Sequence, residues 1–166
     1  MKQAWQIAQS PIAYPRVAYE MDVRDRRTAS APASPRSVAE CISGVLTRNG
    51  AVLVEKRRAD DEADPGLTLL PGGHVEAGES LAQALRREMR EELGIRVEKI
   101  APLHVRRYTA SNGERQRIHY FHIIAWNGRI GSREAETVYW ESDVRNLSDA
   151  IERRIVVKLL GQSSRL

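Results

Sequence analysis

Glu88, Glu91 and Glu92 stand three and four positions apart in the stretch Arg86–Leu93, RREMREEL. On a helix of about 3.6 residues per turn, that spacing puts the three carboxylates on one face, within about a quarter turn or slightly more. The face lies beside the apolar stripe of Leu81, Leu85, Met89 and Leu93, while Gln83, Arg86 and Arg90 take the solvent side. Like charges at helical spacing repel by about 0.2–0.5 kcal/mol per pair at a surface, and by more when partly buried. Something positive must offset them. Arg87 can neutralise one carboxylate, and a hard divalent cation takes oxygen ligands. Mg²⁺ in particular binds through one or two carboxylates plus the phosphates of a substrate. A solvated helix face would also read RREMREE. The glycines at 72, 73, 78 and 94 favour a ligand site, because glycine lets backbone amides and carbonyls approach a ligand closely.

Positioning these groups requires a helix with firm ends. Ser80 and Gln83 form a capping box at its start, and Gly94 suits a left-handed cap at its end. Upstream, Ile42–Thr47 and Ala51–Lys56 are apolar runs around Asn49-Gly50, a hairpin signal. A polar loop to Pro65-Gly66 follows. Leu67–Leu70 reads as a short strand stopped by Pro71-Gly72-Gly73. Downstream, Ile95–Tyr108 and Ile118–Trp126 read as strands around Ser111-Asn112-Gly113, and Val138–Trp140 as another. Asp149–Leu160 reads as a second helix, with Ile151, Ile155, Val156, Leu159 and Leu160 facing inward. This order is that of an α/β domain with helices packed on a mixed sheet.

The 166-residue chain suits one compact domain, begun near Val38 and preceded by an extension and linker over residues 1–37. In that extension Val17, Tyr19, Met21 and Val23 alternate with smaller or charged residues, a strand pattern that would pair with the main domain or make a homodimer. Arg27–Ser37, RTASAPASPRS, is linker-like. One cysteine, Cys41, excludes an internal disulfide. No apolar run is long enough to span a membrane, and the N-terminus lacks the apolar core of a secretory signal, so a cytoplasmic protein is expected. The net charge of +4 favours polyanionic partners, small phosphorylated molecules before nucleic acid, and is equally what solvated arginine-rich faces would give.

The span Gly73–Ile95 follows the pattern G-x5-E-x7-R-E-U-x-E-E-x-G-U, with U a bulky apolar residue. Gly73, Glu79, Arg87, Glu88, Met89, Glu91, Glu92, Gly94 and Ile95 fill it. It resembles the Nudix box of the Nudix hydrolases, over about a seventh of the chain. The resemblance implies an α/β/α sandwich with a mixed β-sheet over residues 38–166. It implies Mg²⁺- or Mn²⁺-dependent cleavage of a diphosphate linkage in a nucleotide by in-line attack of water. It further implies Glu88, Glu91, Glu92 and the Gly72 carbonyl as metal ligands, with Glu88 also able to orient the water. Glu79 and Arg87 would brace the Gly73 loop against the helix. An additional loop carboxylate is expected at Glu136, with Glu134 the alternative.

Substrate marks are sparser. His74, His104, Tyr108, His119, Tyr120, Trp126 and Trp140 could contact a base, though packing roles are the commoner use of such residues. Arg57, Arg58, Arg106, Arg107 and Arg115 could pair with phosphates, and of the strand neighbours Arg106 and Arg107 at most one faces a cleft. Thr109-Ala110-Ser111 stands where ADP-ribose pyrophosphatases carry a proline, and the extra motifs of NADH and coenzyme A pyrophosphatases are missing. The expectation is a MutT-like nucleoside triphosphate pyrophosphohydrolase. ADP-ribose, nucleotide-sugar and dinucleoside polyphosphate cleavage, RNA 5′-end pyrophosphohydrolysis and a non-catalytic nucleotide-binding regulatory module are the alternatives.

Overall fold

The computed structural model describes residues 37–163, with side chains as far as residue 161. The alternating stretch 17–23 and the linker before Ser37 lie outside the described residues. In chain order the elements are β1 (Ala39–Val45), β2 (Thr47–Arg48), β3 (Ala51–Lys56), β4 (Thr68–Leu69), β5 (Gly72–His74), α1 (Leu81–Leu93), β6 (Arg96–Thr109), β7 (Arg115–Asn127), β8 (Thr137–Glu141) and α2 (Ala150–Ser163), with a 3₁₀ turn at Val144–Asn146.

Two four-stranded sheets result. In the first the order is β5-β1-β7-β6, with β1 parallel to β7 and the other pairs antiparallel. In the second, antiparallel sheet, β3 pairs with β2, β4 and β8. The Ile42–Thr47 run is therefore not one strand: the chain leaves the first sheet after Val45 and enters the second at Thr47. Asn49 (φ 50°) and Gly50 (φ 80°) form the expected two-residue hairpin turn, which needs positive φ at both places. Backbone hydrogen bonds from Leu53 to Leu46 (2.9 Å) and from Gly44 to Pro71 (2.8 Å) tie the sheets together.

The glycines after Pro71 do not simply stop a strand. Gly72–His74 is itself β5, paired with Cys41–Ser43 of β1. It lies so close to β1 that a Cβ on Gly72 would fall 2.1 Å from the Ile42 carbonyl oxygen. A Gly72→Ala substitution must push β5 off β1, and we expect it to destabilise the protein by about 3 kcal/mol or more, in the range of severe backbone strain. Urea denaturation of the purified variant checks this; a midpoint equal to wild type would show that β5 moves freely.

Side chains alternate along β1, β3 and β7 and feed two cores. Ile42, Leu46, Leu53 and Ile123 pack with Leu85, Met89 and Leu93 of α1. Val45, Val52, Val54 and Tyr120 pack with Ile155, Val156 and Leu159 of α2. Helices thus cover both faces. No described helix is long and apolar enough to cross a membrane.

Candidate active site

Helix α1 begins as its sequence dictates. The Ser80 hydroxyl accepts from the Gln83 amide, and the Gln83 side chain accepts from the Ser80 amide. Gly94 (φ 74°) ends the helix in the left-handed conformation. Arg87 projects from the second turn back over the β5–α1 loop. Its Nε and Nη2 donate to both Glu79 oxygens, each at 2.9 Å. Its Nη2 also donates to the His74 carbonyl (2.8 Å), and its Nη1 to Glu88 (2.8 Å) and Glu91 (3.1 Å). One guanidinium therefore fastens the loop to the helix and orients two of the three carboxylates. Hydrogen bonding to these acids raises the Arg87 pKa and lowers that of Glu79.

Glu88 points inward, its side chain 12% exposed. Its carboxyl lies against the Gly73 backbone, where a Cβ would be 2.4 Å away. A glycine at 73 is what makes room for the carboxylate. Burial pushes the Glu88 pKa up, and the bond from Arg87 pulls it back. Glu91 is more open, with 44% of its side chain exposed.

Glu92 is the outlier. Its Oε2 is sealed from solvent and has no hydrogen-bond partner. Its pKa is raised, first by burial and then by the negative charges of Glu55, Glu88 and Glu134. Glu55, buried at 5% exposure on β3, is also raised, by burial first, with Arg57 pulling it back and Asp61, Glu134 and Glu88 adding to the rise. Glu55, Glu92 and Glu134 line a cavity of about 110 Å³ together with Arg57 and Asp61. Carboxylates held together against desolvation, one with a sealed and unpaired oxygen, form a donor set suited to a hard dication. Among the described residues no three acidic, histidine or cysteine groups converge as a ready-made metal cage.

The two loop acids differ in place. Glu134 borders Glu92, whereas Glu136 faces solvent and pairs with Lys56 at 3.9 Å. The Glu134 loop is fixed to the end of α1 by bonds from Arg133 N–H to the Glu92 carbonyl (3.1 Å) and from Gly131 N–H to the Leu93 carbonyl (3.0 Å). A second cavity of about 200 Å³ adjoins Gly72, Gly73 and Glu55 and reaches Arg106, Tyr108, Gln116 and Glu152. Arg57 borders both cavities.

The aromatic and basic candidates separate. Tyr108 lines the larger cavity; Tyr120 is buried and donates to Glu152, which lines it; Trp126 and Trp140 instead flank Arg48 at 5.8 and 4.8 Å. His74 bonds Glu114 (2.9 Å), and His119 bonds Glu40 (2.7 Å). His104 stands on β6 with its ring centroid 6.3 Å from that of Tyr120. Arg58 pairs with Asp60, and Arg107 and Arg115 are exposed on the β6–β7 hairpin. Glu55 and Glu152 escaped the sequence reading. The signal was present: each is an acid at an inward-facing position, Glu55 two residues from Leu53 on a strand and Glu152 three and four residues from Ile155 and Val156 on a helix.

Comparison with known proteins agrees with this geometry. The NUDIX domain family matches residues 36–157. The CTP pyrophosphohydrolase of Escherichia coli (strain K12) is 33% identical over 106 residues, 61% of this chain and 73% of that protein. The Nucleoside triphosphatase NudI of Enterobacter sp. (strain 638) is 48% identical over 54 residues, but these cover only 32% of this chain and 38% of that protein. Among solved structures, a MutT NUDIX hydrolase from Burkholderia pseudomallei superimposes with a TM-score of 0.64 at 26% identity, over 74% of this chain and 98% of that one. The E. coli ORF135 protein does so with a TM-score of 0.64 at 26% identity, over 81% and 98%. With the family matched across most of the chain and the box folded into one braced acidic helix face, the protein belongs to the Nudix hydrolases, enzymes that act on phosphorus-containing anhydrides.

Proposed function

We propose that this chain is a Mg²⁺-dependent nucleoside triphosphate pyrophosphohydrolase, with Mn²⁺ as an alternative ion. The observation that carries the reading is the sealed, unpartnered Glu92 oxygen among Glu55, Glu88 and Glu134, beside a cleft that Arg57 joins to it. The activities for which the two relatives are named support a nucleoside triphosphate substrate. Residues 38–166 form the catalytic domain in this reading, and residues 1–37 are an extension to it.

Glu88, Glu91, Glu92 and the Gly72 carbonyl would hold the ion, with Glu134 preferred to Glu136 as the added loop carboxylate. The bound ion supplies charge neutralisation at the phosphoryl oxygens and a lowered pKa for a coordinated water. Glu88, fixed by Arg87 and by Gly73, orients the attacking water and accepts its proton. Arg57 meets phosphate oxygens between the two cavities. Glu79 and Arg87 hold the loop and helix in register while the bond between the α- and β-phosphates breaks, water adding across it to give the nucleoside monophosphate and pyrophosphate.

Chelation tests this. EDTA should abolish pyrophosphate release from nucleoside triphosphates, and Mg²⁺ or Mn²⁺ should restore it. Without substrate, added Mg²⁺ should raise Tm more at pH 8 than at pH 5, because protons and cations compete for Glu55 and Glu92, whose pKa values are raised. Hydrolysis indifferent to EDTA would refute the assignment.

A further inference from the structure

The loop over residues 57–66 is held from a distance. Its Asp64 stands in the left-handed region (φ 51°), which strains most side chains and which Asp tolerates better than most. Asp64 is buried and makes a reciprocal pair with Ser111, 47 residues further on. Its amide donates to the Ser111 hydroxyl (2.7 Å), and the Ser111 amide donates to its carboxylate (3.0 Å). Ser111 sits in the turn between β6 and β7. That turn is closed by bonds from the Ala110 amide to the Glu114 carbonyl (3.0 Å) and from the Gly113 amide to the Ala110 carbonyl (2.8 Å). A strained residue persists where its surroundings over-determine it, and here they belong to a different pair of strands. The Asp64 amide shares one peptide unit with the Ala63 carbonyl, and that carbonyl accepts from Arg57 Nε (2.9 Å). A peptide unit is planar and stiff, so holding its N–H fixes the direction of its C=O. Arg57 Nη2 pairs with Asp61 (3.1 Å), while Nη1 stands 4.0 Å from Glu55, too far for a hydrogen bond. A guanidinium has five N–H donors, so these two anchors leave Nη1 for an anion. Glu55, beside it, borders both cavities, as Arg57 does.

We infer that Ser111 and Asp64 are positioning residues that aim Arg57 at the phosphates of the substrate. This rests on the nucleotide-hydrolase reading above, in which Arg57 meets phosphate oxygens. The relay runs from the Ser111 hydroxyl through the peptide between Ala63 and Asp64 to Arg57 Nε. Hydrogen bonds in series polarise one another, so the two ends of that peptide strengthen together. An arginine free among its rotamers must be ordered when it grips a phosphate. One already pinned at Nε and Nη2 is spared much of that cost. No bond of the relay involves Glu88, Glu91 or Glu92, so its loss acts on phosphate binding rather than on the carboxylates of α1.

A double-mutant cycle, followed by steady-state kinetics with CTP and ATP in Mg²⁺, tests the inference. Ser111→Ala should raise KM by about three- to tenfold, the worth of one hydrogen bond, with kcat within about twofold of wild type. In an Arg57→Ala background the same substitution should change kcat/KM by less than about twofold, since the group it positions is gone. A loss as large without Arg57 as with it overturns the inference, and so do wild-type kinetics in Ser111→Ala. A second measurement needs no turnover. In ¹H–¹⁵N spectra of the ligand-free protein, the Arg57 Nε–H signal, identified by its loss in Arg57→Lys, should move upfield in Ser111→Ala as its bond to Ala63 weakens. An unmoved signal overturns the relay, even in a variant whose urea midpoint has fallen. Hydrolysis of neither nucleotide by wild type would count against the activity itself, and the Arg57 signal would then decide the relay alone.

Discussion

Replacing Glu92 with glutamine should cut turnover about 10²–10³-fold or more while raising the melting temperature of the metal-free protein. The two effects share one cause. Glu92 is held among Glu55, Glu88 and Glu134 with an oxygen that nothing satisfies. A charge there is useful only when a dication or transition-state charge meets it, and removing one such preorganised group costs about this factor in rate. In the free protein the same charge is a liability. Its folded pKa lies above the unfolded value of about 4.3, so the protein binds the proton more tightly when folded. The stability this group contributes is fully present below pH ~4.3 and is lost as the pH rises through the folded pKa. Glutamine, which cannot ionise, avoids that loss. The variant should therefore melt a few degrees above wild type at pH 8 and close to it at pH 4, at about 2–4 °C per kcal/mol for a domain of this size. Calorimetry at the two pH values, beside initial rates in Mg²⁺, checks both halves. Near-normal turnover would remove Glu92 from the chemistry, and a lower Tm at pH 8 would mean that its charge is satisfied in the free protein.

Arg87→Lys should be nearly as damaging despite keeping the charge. The guanidinium spans both Glu79 oxygens, Glu88, Glu91 and the His74 carbonyl at once. An ammonium on a longer, softer stem has three donors and no planar fork, so it cannot reproduce that set. The side chains of Arg87 and Glu79 are 17% and 20% exposed, which places the pair between a surface bridge and a buried one. We expect a lower urea midpoint, with a loss short of that from breaking a fully buried pair. We expect kcat to fall about 10²-fold, because Glu88 loses its orientation against Gly73. Urea unfolding and kinetics well below the variant's Tm separate the two. Wild-type kcat in a destabilised variant would reduce Arg87 to a structural strut.

Much of this was legible in the chain. The ends of α1 were written by Ser80, Gln83 and Gly94, because caps are local chemistry. The Asn49-Gly50 hairpin was legible for the same reason, since its turn depends on two adjacent residues. The long β6–β7 hairpin ran further than its apolar runs, through Arg115–Arg117 and Thr109, because ladder pairing continues past the residues that pack. The role of Gly72-Gly73 as a strand was hidden. Glycine reads as a turn wherever its partner strand is out of view, and only the approach of β1 to within contact of Gly72 shows why no side chain fits.

By itself, the order of residues determined the family, the acidic face of α1, its caps and its bracing arginine, all set within 23 consecutive positions from Gly73 to Ile95. Tertiary structure decided which distant acids join that face. Glu55 arrives from β3, Glu134 from a loop tied to the end of α1, and Glu152, from α2, lines the second cavity together with Arg106. The reason is that helical periodicity relates residues three and four apart. Burial, and the unpaired charge it creates, depends on which strands and loops the chain brings together from far along its length.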